Sequence, residues 1–283
     1  MNRWSGATAV LGTRHGKQRV IVPILEARLG LTIDVLDTLD TDRFGTFTRE
    51  IPRTAGFRDT ARAKALAAVT QHGRASIGIA SEGSFGPHPE FPVVAGGAEL
   101  VVLVSREEDL DLVGLDVTTE TNFGAREVGS VEEAVAFAQR ASFPSHAVIM
   151  MPFCNGSPLV AGAVKGIVDA DVLEQAVRAA LRTHGRAWIE ADMRAHLNPT
   201  RMRSIERATL ALASAAISEC PDCGRPGYVV VERVRGLPCL ECGSPTAQAR
   251  AEIRRCTGCG QQDERLLAGP AVASPAECEW CNP

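Results

Sequence analysis

The cysteines near the C-terminus constrain the fold of this chain more than any other feature. Eight of its nine cysteines follow residue 219 and form four Cys-x-x-Cys pairs, which leaves only Cys154 in the rest of the chain. The first residues, MNRWSGATAVLG, lack the long apolar stretch of a secretory leader. Clustered cysteine pairs in that context are typical of metal binding in a reducing compartment. We therefore expect a cytoplasmic metal-binding protein.

The spacing of the cysteine pairs predicts two zinc ribbons. CPDC and CLEC are separated by fifteen residues, and CTGC and CEWC by eighteen, so each half of the segment matches a Cys₄ ribbon. Sequential pairing is the simplest arrangement, and an interleaved cross-brace remains an alternative. Iron accepts four thiolates too, but ribbon spacing favours two structural zinc ions. The eight predicted ligands are Cys220, Cys223, Cys239, Cys242, Cys256, Cys259, Cys278 and Cys281.

The remainder of the chain has the pattern of an α/β domain. Short apolar runs that resemble strands alternate with amphipathic segments that resemble helices, and this periodicity stops near residue 218. The alternation predicts one mixed central sheet flanked by helices. We therefore divide the chain into an α/β phosphate-binding or catalytic domain over 1–217 and a double zinc-ribbon module over 218–283.

The charge of the chain limits its partners. The formal net charge is −4, and residues 217–283 carry seven arginines and no lysine against nine acidic residues. Tight phosphate-backbone binding requires the opposite sign, so nucleic acid is disfavoured and a folding or protein-docking role for the zinc module is favoured. Apolar runs such as ELVVLV are too short to span a membrane. A homodimer is compatible with this organisation.

A candidate site surrounds the stretch DTARAKALAAVTQHGRASIGIASEG (59–83). Asp59 is predicted to start a helix, and Glu82 to end the strand ASIGIAS (75–81). Ligands of open α/β sheets gather outside the carboxyl ends of strands. Asp59 and Glu82 can then hold Mg²⁺ while Lys17 and Lys64 contact phosphate oxygens. The simpler interpretation is that Asp59 caps a helix and Glu82 only ends a strand.

The order of these motifs resembles that of the inosine/xanthosine triphosphatases, a superfamily of house-cleaning nucleotide pyrophosphatases. AVLGTRHGK is similar to their first loop, with Lys17 at its lysine. DTARAKA resembles their Glu-Asn-Ala-x-x-Lys-Ala motif, with Asp59 at the acid and Lys64 at the lysine, and Glu82 in ASEGS falls at their next acidic position. The resemblance implies a nucleotide pyrophosphatase-like fold and Mg²⁺-dependent hydrolysis, in which Glu82 and Asp59 are catalytic.

A further likeness lies in NPTRMRSIERATLAL, where Thr200 and Arg201 open a helix in the manner of one branch of that superfamily. Asn198 is a suitable cap and Pro199 suits the first helical position, so this helix N-terminus is a predicted anion site. Arg14 departs from the family's pattern because it replaces an asparagine in the first loop, and we place it among the substrate-binding residues.

The chain as a whole also resembles an uncharacterised bacterial family, through DTDRFGTFT, ASEGSFGPHP and DMRAHLNPTRM followed by the cysteine tail. That second likeness implies no activity. A different hypothesis places a catalytic metal on Asp192 and His196, with His88 or His146 as a further ligand. The leading hypothesis is a Mg²⁺-dependent hydrolase of a nucleotide or related small phosphate ester; the alternative is a zinc-ribbon adaptor or ligand-binding protein without catalysis.

Overall fold

A computed structural model describes residues 3–41, 44 and 55–283. The chain forms two compact units, Met1–Ala213 and Ser214–Pro283. The predicted domain boundary, between residues 217 and 218, lies four residues after this division. The loop predicted over 40–56 falls mostly outside the described residues.

Five α-helices lie within the described ranges, and most of their bounds agree with the periodicity of the sequence. Pro23 lies inside the first helix, which begins at Gln18. Asn198 accepts a hydrogen bond from the Arg201 amide at 3.0 Å and so caps the last helix as predicted. The helices are α1 (Gln18–Leu29), α2 (Phe57–His72), α3 (Val131–Arg140), α4 (Ala170–His184) and α5 (Pro199–Ile217).

The first sheet of the N-terminal unit is mixed and has the strand order β2-β1-β3-β4-β5. β1 pairs in parallel with β2 and β3, whereas β3, β4 and β5 form an antiparallel meander. Apolar residues of β3 and β4 pack against Ala61 and Ala65 of α2. The strands are β1 (Thr8–Gly12), β2 (Thr32–Leu36), β3 (Ile77–Pro87), β4 (Ala95–Ser105) and β5 (Leu110–Thr118).

β3 is longer than its sequence indicates. The residues GSFGP after Glu82 resemble a loop in sequence, but β3 continues to Pro87 because Gly83 to Pro87 pair with Glu99 to Ala95 of β4. Glu82 therefore lies in the middle of a strand and not at its carboxyl end. The parallel pairing with β1 reaches only Ile79, which lies opposite Leu11. Ser81 and Glu82 consequently lie beyond the end of β1, next to the loop that leads into α1.

A second sheet in the same unit is antiparallel throughout, so the prediction of a single central sheet is wrong. Its strand order is β6-β10-β7-β8, and β9 also pairs with β7. Buried residues of α3 and α4, including Phe137, Leu173 and Val177, cover it with a separate apolar core. Its strands are β6 (Ala125–Val128), β7 (Val148–Cys154), β8 (Ser157–Pro158), β9 (Val164–Ile167) and β10 (Ala187–Ala191).

Gly114 of β5 allows α5 to pack closely on the first sheet. A Cβ atom at this position would lie 2.0 Å from the Ala208 carbonyl oxygen and 2.3 Å from the Leu212 nitrogen. We expect Gly114→Ala to lower the free energy of unfolding by at least about 2 kcal/mol, since the backbone of α5 must move. Gly86→Ala is the matched control, because nothing lies within 4 Å of a Cβ built there. Urea titration measures both, and equal midpoints would contradict this packing.

The C-terminal unit contains a three-stranded antiparallel sheet, β11 (Tyr228–Arg235), β12 (Ala249–Cys256) and β13 (Gln262–Leu266). Its small buried cluster consists of Cys220, Tyr228 and Cys256. So little apolar burial leaves the unit dependent on another source of stability. No helix in the described part of the chain is long and apolar enough to cross a membrane.

Candidate anion site and cysteine metal centres

Lys17 reaches the middle of β3 from the loop between β1 and α1. It is the N-cap residue of α1 and is 8% exposed. Its Nζ donates a hydrogen bond to Ser81 Oγ at 3.1 Å. The short β1 leaves this part of β3 without a parallel neighbour, so a side chain from the loop can occupy that position.

Lys64 and Glu82 form an ion pair on the α2 side of the first sheet. Lys64 Nζ lies 2.6 Å from Glu82 Oε2, and both side chains are buried. Gly78, Ala80 and Glu82 alternate onto one face of β3, and a Cβ at Gly78 would meet the Ala65 carbonyl oxygen of α2 at 2.4 Å. The period of β3 therefore directs Glu82 towards α2, where Lys64 lies.

Arg201 and Glu99 form a second buried ion pair, on the opposite face of β3. Arg201 Nε lies 2.5 Å from Glu99 Oε1, and Arg201 also donates to the Met193 carbonyl oxygen. Gly83 lies opposite Glu99, and a Cβ there would approach Arg201 Nη2 at 2.6 Å. A glycine at this position lets the guanidinium group lie against the strand.

These pairs and Lys17 interact electrostatically. Burial and the Arg201 guanidinium group lower the pKa of Lys17 to about 8; Glu99 and Glu82 oppose this decrease, and Lys64 adds to it. Burial raises the pKa of Glu99, and Arg201 and Lys17 oppose this increase only in part. Glu99 Oε2 is buried and accepts no hydrogen bond within the described residues. Perturbed titratable groups of both signs, gathered in one place, are characteristic of functional sites.

We name Lys17, Lys64, Glu82, Glu99 and Arg201 the buried charge cluster. Four of its members were predicted from the sequence, and the structure places these four around residues 81–83 of β3, with Lys64 and Glu82 on the α2 side and Arg201 on the other face. Glu99 and its neighbour Ser81 were missed. Glu99 is the only charged residue between Phe91 and Ser105, in the run FPVVAGGAELVVLVS. A lone charge in an apolar strand is the sequence signal that could have identified it.

Asp59 and Arg14 do not join the buried charge cluster. Asp59 lies in the first turn of α2 and is exposed, whereas Lys64 of the same helix is buried. Arg14 is exposed and forms a 3.8 Å ion pair with Asp40. Asp59 and Arg14, which the sequence assigned to the site, are therefore surface residues outside the cluster.

Protein groups already occupy the N-terminus of α5. The Thr200 amide donates to His146 Nε2 at 3.2 Å, and the Arg201 amide donates to Asn198 Oδ1 at 3.0 Å. Burial lowers the pKa of His146, which suits a neutral ring that accepts this hydrogen bond. The helix start thus contributes the Arg201 side chain to the cluster and not the open anion-binding amides that the sequence predicted.

Asp192 and His196 do not form a metal site. Asp192 is fully buried, and its carboxylate is held by Arg194 Nη2 at 2.6 Å and by the Gly166 amide at 3.1 Å. The exposed ring of His196 stacks on that of His15 with 5.1 Å between centroids. Within the described residues, neither belongs to a group of three or more metal-binding side chains.

The eight C-terminal cysteines form two groups that can each hold one metal ion. Within each group all four Sγ atoms lie within 4.8 Å of one another, and the closest pairs are 3.6 to 3.8 Å apart. A disulfide requires about 2.05 Å, so these are thiol groups. Sulfur atoms at about 2.3 Å from a tetrahedral zinc ion would be about 3.8 Å apart, which matches the observed separations.

The pairing of the cysteine knuckles is interleaved. The first and third knuckles form one group, Cys220, Cys223, Cys256 and Cys259, which we name the first metal centre. The second and fourth form the other, Cys239, Cys242, Cys278 and Cys281, which we name the second metal centre. The sequential pairing favoured by the sequence is wrong. The antiparallel pairing of β11 with β12 places Cys256 opposite Tyr228 and so brings the third knuckle back to the first.

The fold and these sites define an α/β protein with a C-terminal module that holds two four-cysteine centres. Comparison with known families then places it: the model of a domain of unknown function, DUF6671, matches residues 64–283, so the chain belongs to that family. The match begins at Lys64 and therefore includes every member of the buried charge cluster except Lys17. No curated protein matches the chain in sequence.

Proposed function

We propose that the N-terminal unit binds and hydrolyses a nucleotide or a related small phosphate ester, and that the C-terminal unit carries two structural zinc ions. A nucleotide pyrophosphatase-like fold is part of this proposal. The single observation that supports it best is the convergence of three cations and two carboxylates from separate elements into the buried charge cluster.

The chemistry of these residues suits phosphate. Lys17, Lys64 and Arg201 carry three positive charges against the two negative charges of Glu82 and Glu99, so the cluster has a net positive charge when Lys17 is protonated. Cations in a low-dielectric site bind phosphate oxygens and stabilise charge that develops on them. A substrate phosphate would replace Ser81 as the partner of Lys17. Because the pairing of β3 with β1 ends at Ile79, the same anion could extend past this open edge of β3 to Lys64 and compete with Glu82 there.

Release of Glu82 from Lys64 would supply the base that hydrolysis requires. In the proposed step Glu82 accepts a proton from water, the water oxygen forms a bond to phosphorus, and the bond from phosphorus to the leaving oxygen breaks. Lys17, whose pKa is about 8, can return a proton to the leaving oxygen near neutral pH. The cluster thus contains a proton acceptor, a proton donor and cations.

The residues proposed for Mg²⁺ do not fit that ion. Asp59 is exposed and lies outside the cluster, and Glu82 already faces the Lys64 ammonium group at 2.6 Å. Mg²⁺ prefers carboxylate oxygens and water at an octahedral site, which a neighbouring ammonium group opposes. We therefore assign no step to Mg²⁺.

The proposal is tested by incubating the purified chain with a mixture of nucleoside triphosphates, with and without Mg²⁺. Release of pyrophosphate or phosphate, together with loss of one nucleotide on anion exchange, is the expected result. Activity that requires Mg²⁺ would still support hydrolysis, because a nucleotide can bring the ion with its phosphates.

A ligand-binding protein without catalysis is the second candidate, and one observation favours it. Lys17, Lys64 and Arg201 each have a partner within the chain, and all three are buried. Such a cluster can bind an anion tightly without admitting the water that hydrolysis needs. Saturable sulfate binding with no turnover of any phosphate ester would select this candidate.

Sulfate binding tests the role of Lys17 in either case. Above pH 8 the free site increasingly loses the Lys17 proton, whereas a bound anion favours the ammonium form. We expect sulfate binding at about pH 8.5 to take up a fraction of a proton, and binding at about pH 6.5 to take up none from Lys17. Calorimetry in buffers of different ionisation enthalpy measures this uptake.

Two variants make the sulfate experiment specific. Lys17→Met should abolish the uptake at the higher pH and weaken sulfate binding at the lower pH. Lys165→Met removes a lysine outside the cluster and should change neither. Unaltered proton uptake in Lys17→Met, or no sulfate binding in the unmodified protein, would contradict the anion site.

A further inference from the structure

Two large apolar side chains are exposed at the second metal centre. Trp280 is 79% exposed and Leu240 is 66% exposed. Each occupies a variable position of a Cys-x-x-Cys knuckle, so the metal centre fixes the backbone on which it is presented. Tryptophan is rarely left this exposed on a protein surface and is the residue most enriched at the energetic centres of interfaces.

The second metal centre also holds the two knuckles that carry these side chains close together. Leu240 directly follows Cys239, and Trp280 directly precedes Cys281, and the Sγ atoms of these two cysteines are 3.8 Å apart. The Leu240 amide donates to the Ala273 carbonyl oxygen at 3.0 Å, which further holds its knuckle against the C-terminal segment. Leu240 and Trp280, which are far apart in sequence, are therefore each adjacent to a cysteine of the same metal centre.

The surroundings of this apolar pair are acidic. Glu241 and Glu279 occupy the other variable positions of the same knuckles; both are exposed, and neither forms an ion pair within the described residues. Residues 237–248 and 266–283 contain no arginine or lysine. A four-thiolate centre with a divalent ion adds two negative charges.

The first metal centre has a different character. Its knuckles, CPDC and CTGC, contain no large apolar residue, and Arg225, Arg254 and Arg255 lie close to them in the chain. The combination of apolar and acidic groups is therefore specific to the second centre and is not a general property of the module.

We propose that Leu240, Trp280, Glu241 and Glu279 form a docking surface for a basic segment of another protein that carries an apolar anchor. The anchor packs on Trp280 and Leu240, where burial supplies affinity, and lysine or arginine side chains on either side pair with Glu241 and Glu279. The acidic surroundings repel nucleic acid and anionic lipid, so a peptide is the partner that the charges select. This inference does not depend on the chemistry proposed for the N-terminal unit.

A peptide-display selection on the full zinc-loaded chain tests the docking surface. We expect enriched peptides to have a net positive charge and a shared aromatic or aliphatic position. Binding of synthetic copies should weaken at least about tenfold in Trp280→Ala, as truncation of a central interface residue does. In Glu241→Gln/Glu279→Gln it should weaken by less and become less sensitive to salt.

Leu266→Ala is the matched control, because Leu266 is 78% exposed but lies next to Arg265 and outside both knuckles. It should leave peptide binding unchanged, and elemental analysis should give the same zinc content for every variant. A selection with no enrichment, peptides that bind Trp280→Ala as well as the unmodified chain, or preferential binding of a single-stranded oligonucleotide to this surface would each overturn the proposal.

Discussion

The double variant Cys220→Ser/Cys256→Ser is expected to keep about one zinc ion per chain. The double variant Cys220→Ser/Cys239→Ser is expected to lose tight binding of both zinc ions. Cys220 and Cys256 belong to the first metal centre, so the former variant leaves the second centre intact. Cys239 belongs to the second centre, so the latter variant damages both. Structural zinc needs four ligands, and its binding free energy in small modules is about 10–16 kcal/mol, which far exceeds the stability of their apolar cores.

The two double variants are matched, since each removes two thiols from the same module. Elemental analysis of the purified chains gives their zinc content, and amide exchange in β11 and β12 reports the loss of folding. Sequential pairing would give the reverse result, with zinc retained in Cys220→Ser/Cys239→Ser. Equal zinc in the two variants would contradict both arrangements.

Glu82→Gln is expected to lower turnover of the phosphate ester by at least about a hundredfold while the fold and zinc content remain unchanged. The amide cannot accept the proton of the attacking water, and loss of a general base typically costs about 10²–10⁴-fold in rate. Steady-state rates on the substrate identified in the nucleotide mixture measure the effect. The expected reduction in kcat should exceed any change in KM.

Two other substitutions control for the loss of one negative charge. Glu90→Gln alters an exposed acid in the connection between β3 and β4, and Asp59→Asn alters the exposed acid of α2. Both should leave turnover within a few-fold of the unmodified rate. An active enzyme whose rate is unaffected by Glu82→Gln would move the chemistry away from this cluster, and a large effect of Asp59→Asn would restore that residue to the site.

Local sequence patterns were sufficient to predict most individual elements. The alternating run AWIEA forms β10, and the last helix starts at Pro199 as its capping residue predicts, because alternation and capping are properties of neighbouring residues. The length of β3 was not predictable in this way. Its glycines and Pro87 resemble loop residues, and only the pairing with the equally glycine-rich start of β4 makes them a strand.

At the candidate site, too, local sequence patterns do not predict which distant residues meet. Lys17, Lys64, Glu82 and Arg201 were found from the order of short motifs, but Asp59 was added from its position in the same motif as Lys64. Residues five apart lie about 140° apart around a helix, so the helix that buries Lys64 against the sheet exposes Asp59. Similarly, cysteine spacing identifies knuckles but does not encode which knuckles share an ion; the register of β11 and β12 decides that.

The strand order of the first sheet has a consequence for any shortened version of the protein. β1 lies between β2 and β3 and pairs in parallel with both. A polypeptide that began at Lys64, where the family match begins, would cut α2 and leave β3 as an open edge with unsatisfied backbone groups. The region that the family model matches is therefore shorter than the piece that folds alone, and expression of residues 64–283 by themselves should yield aggregates.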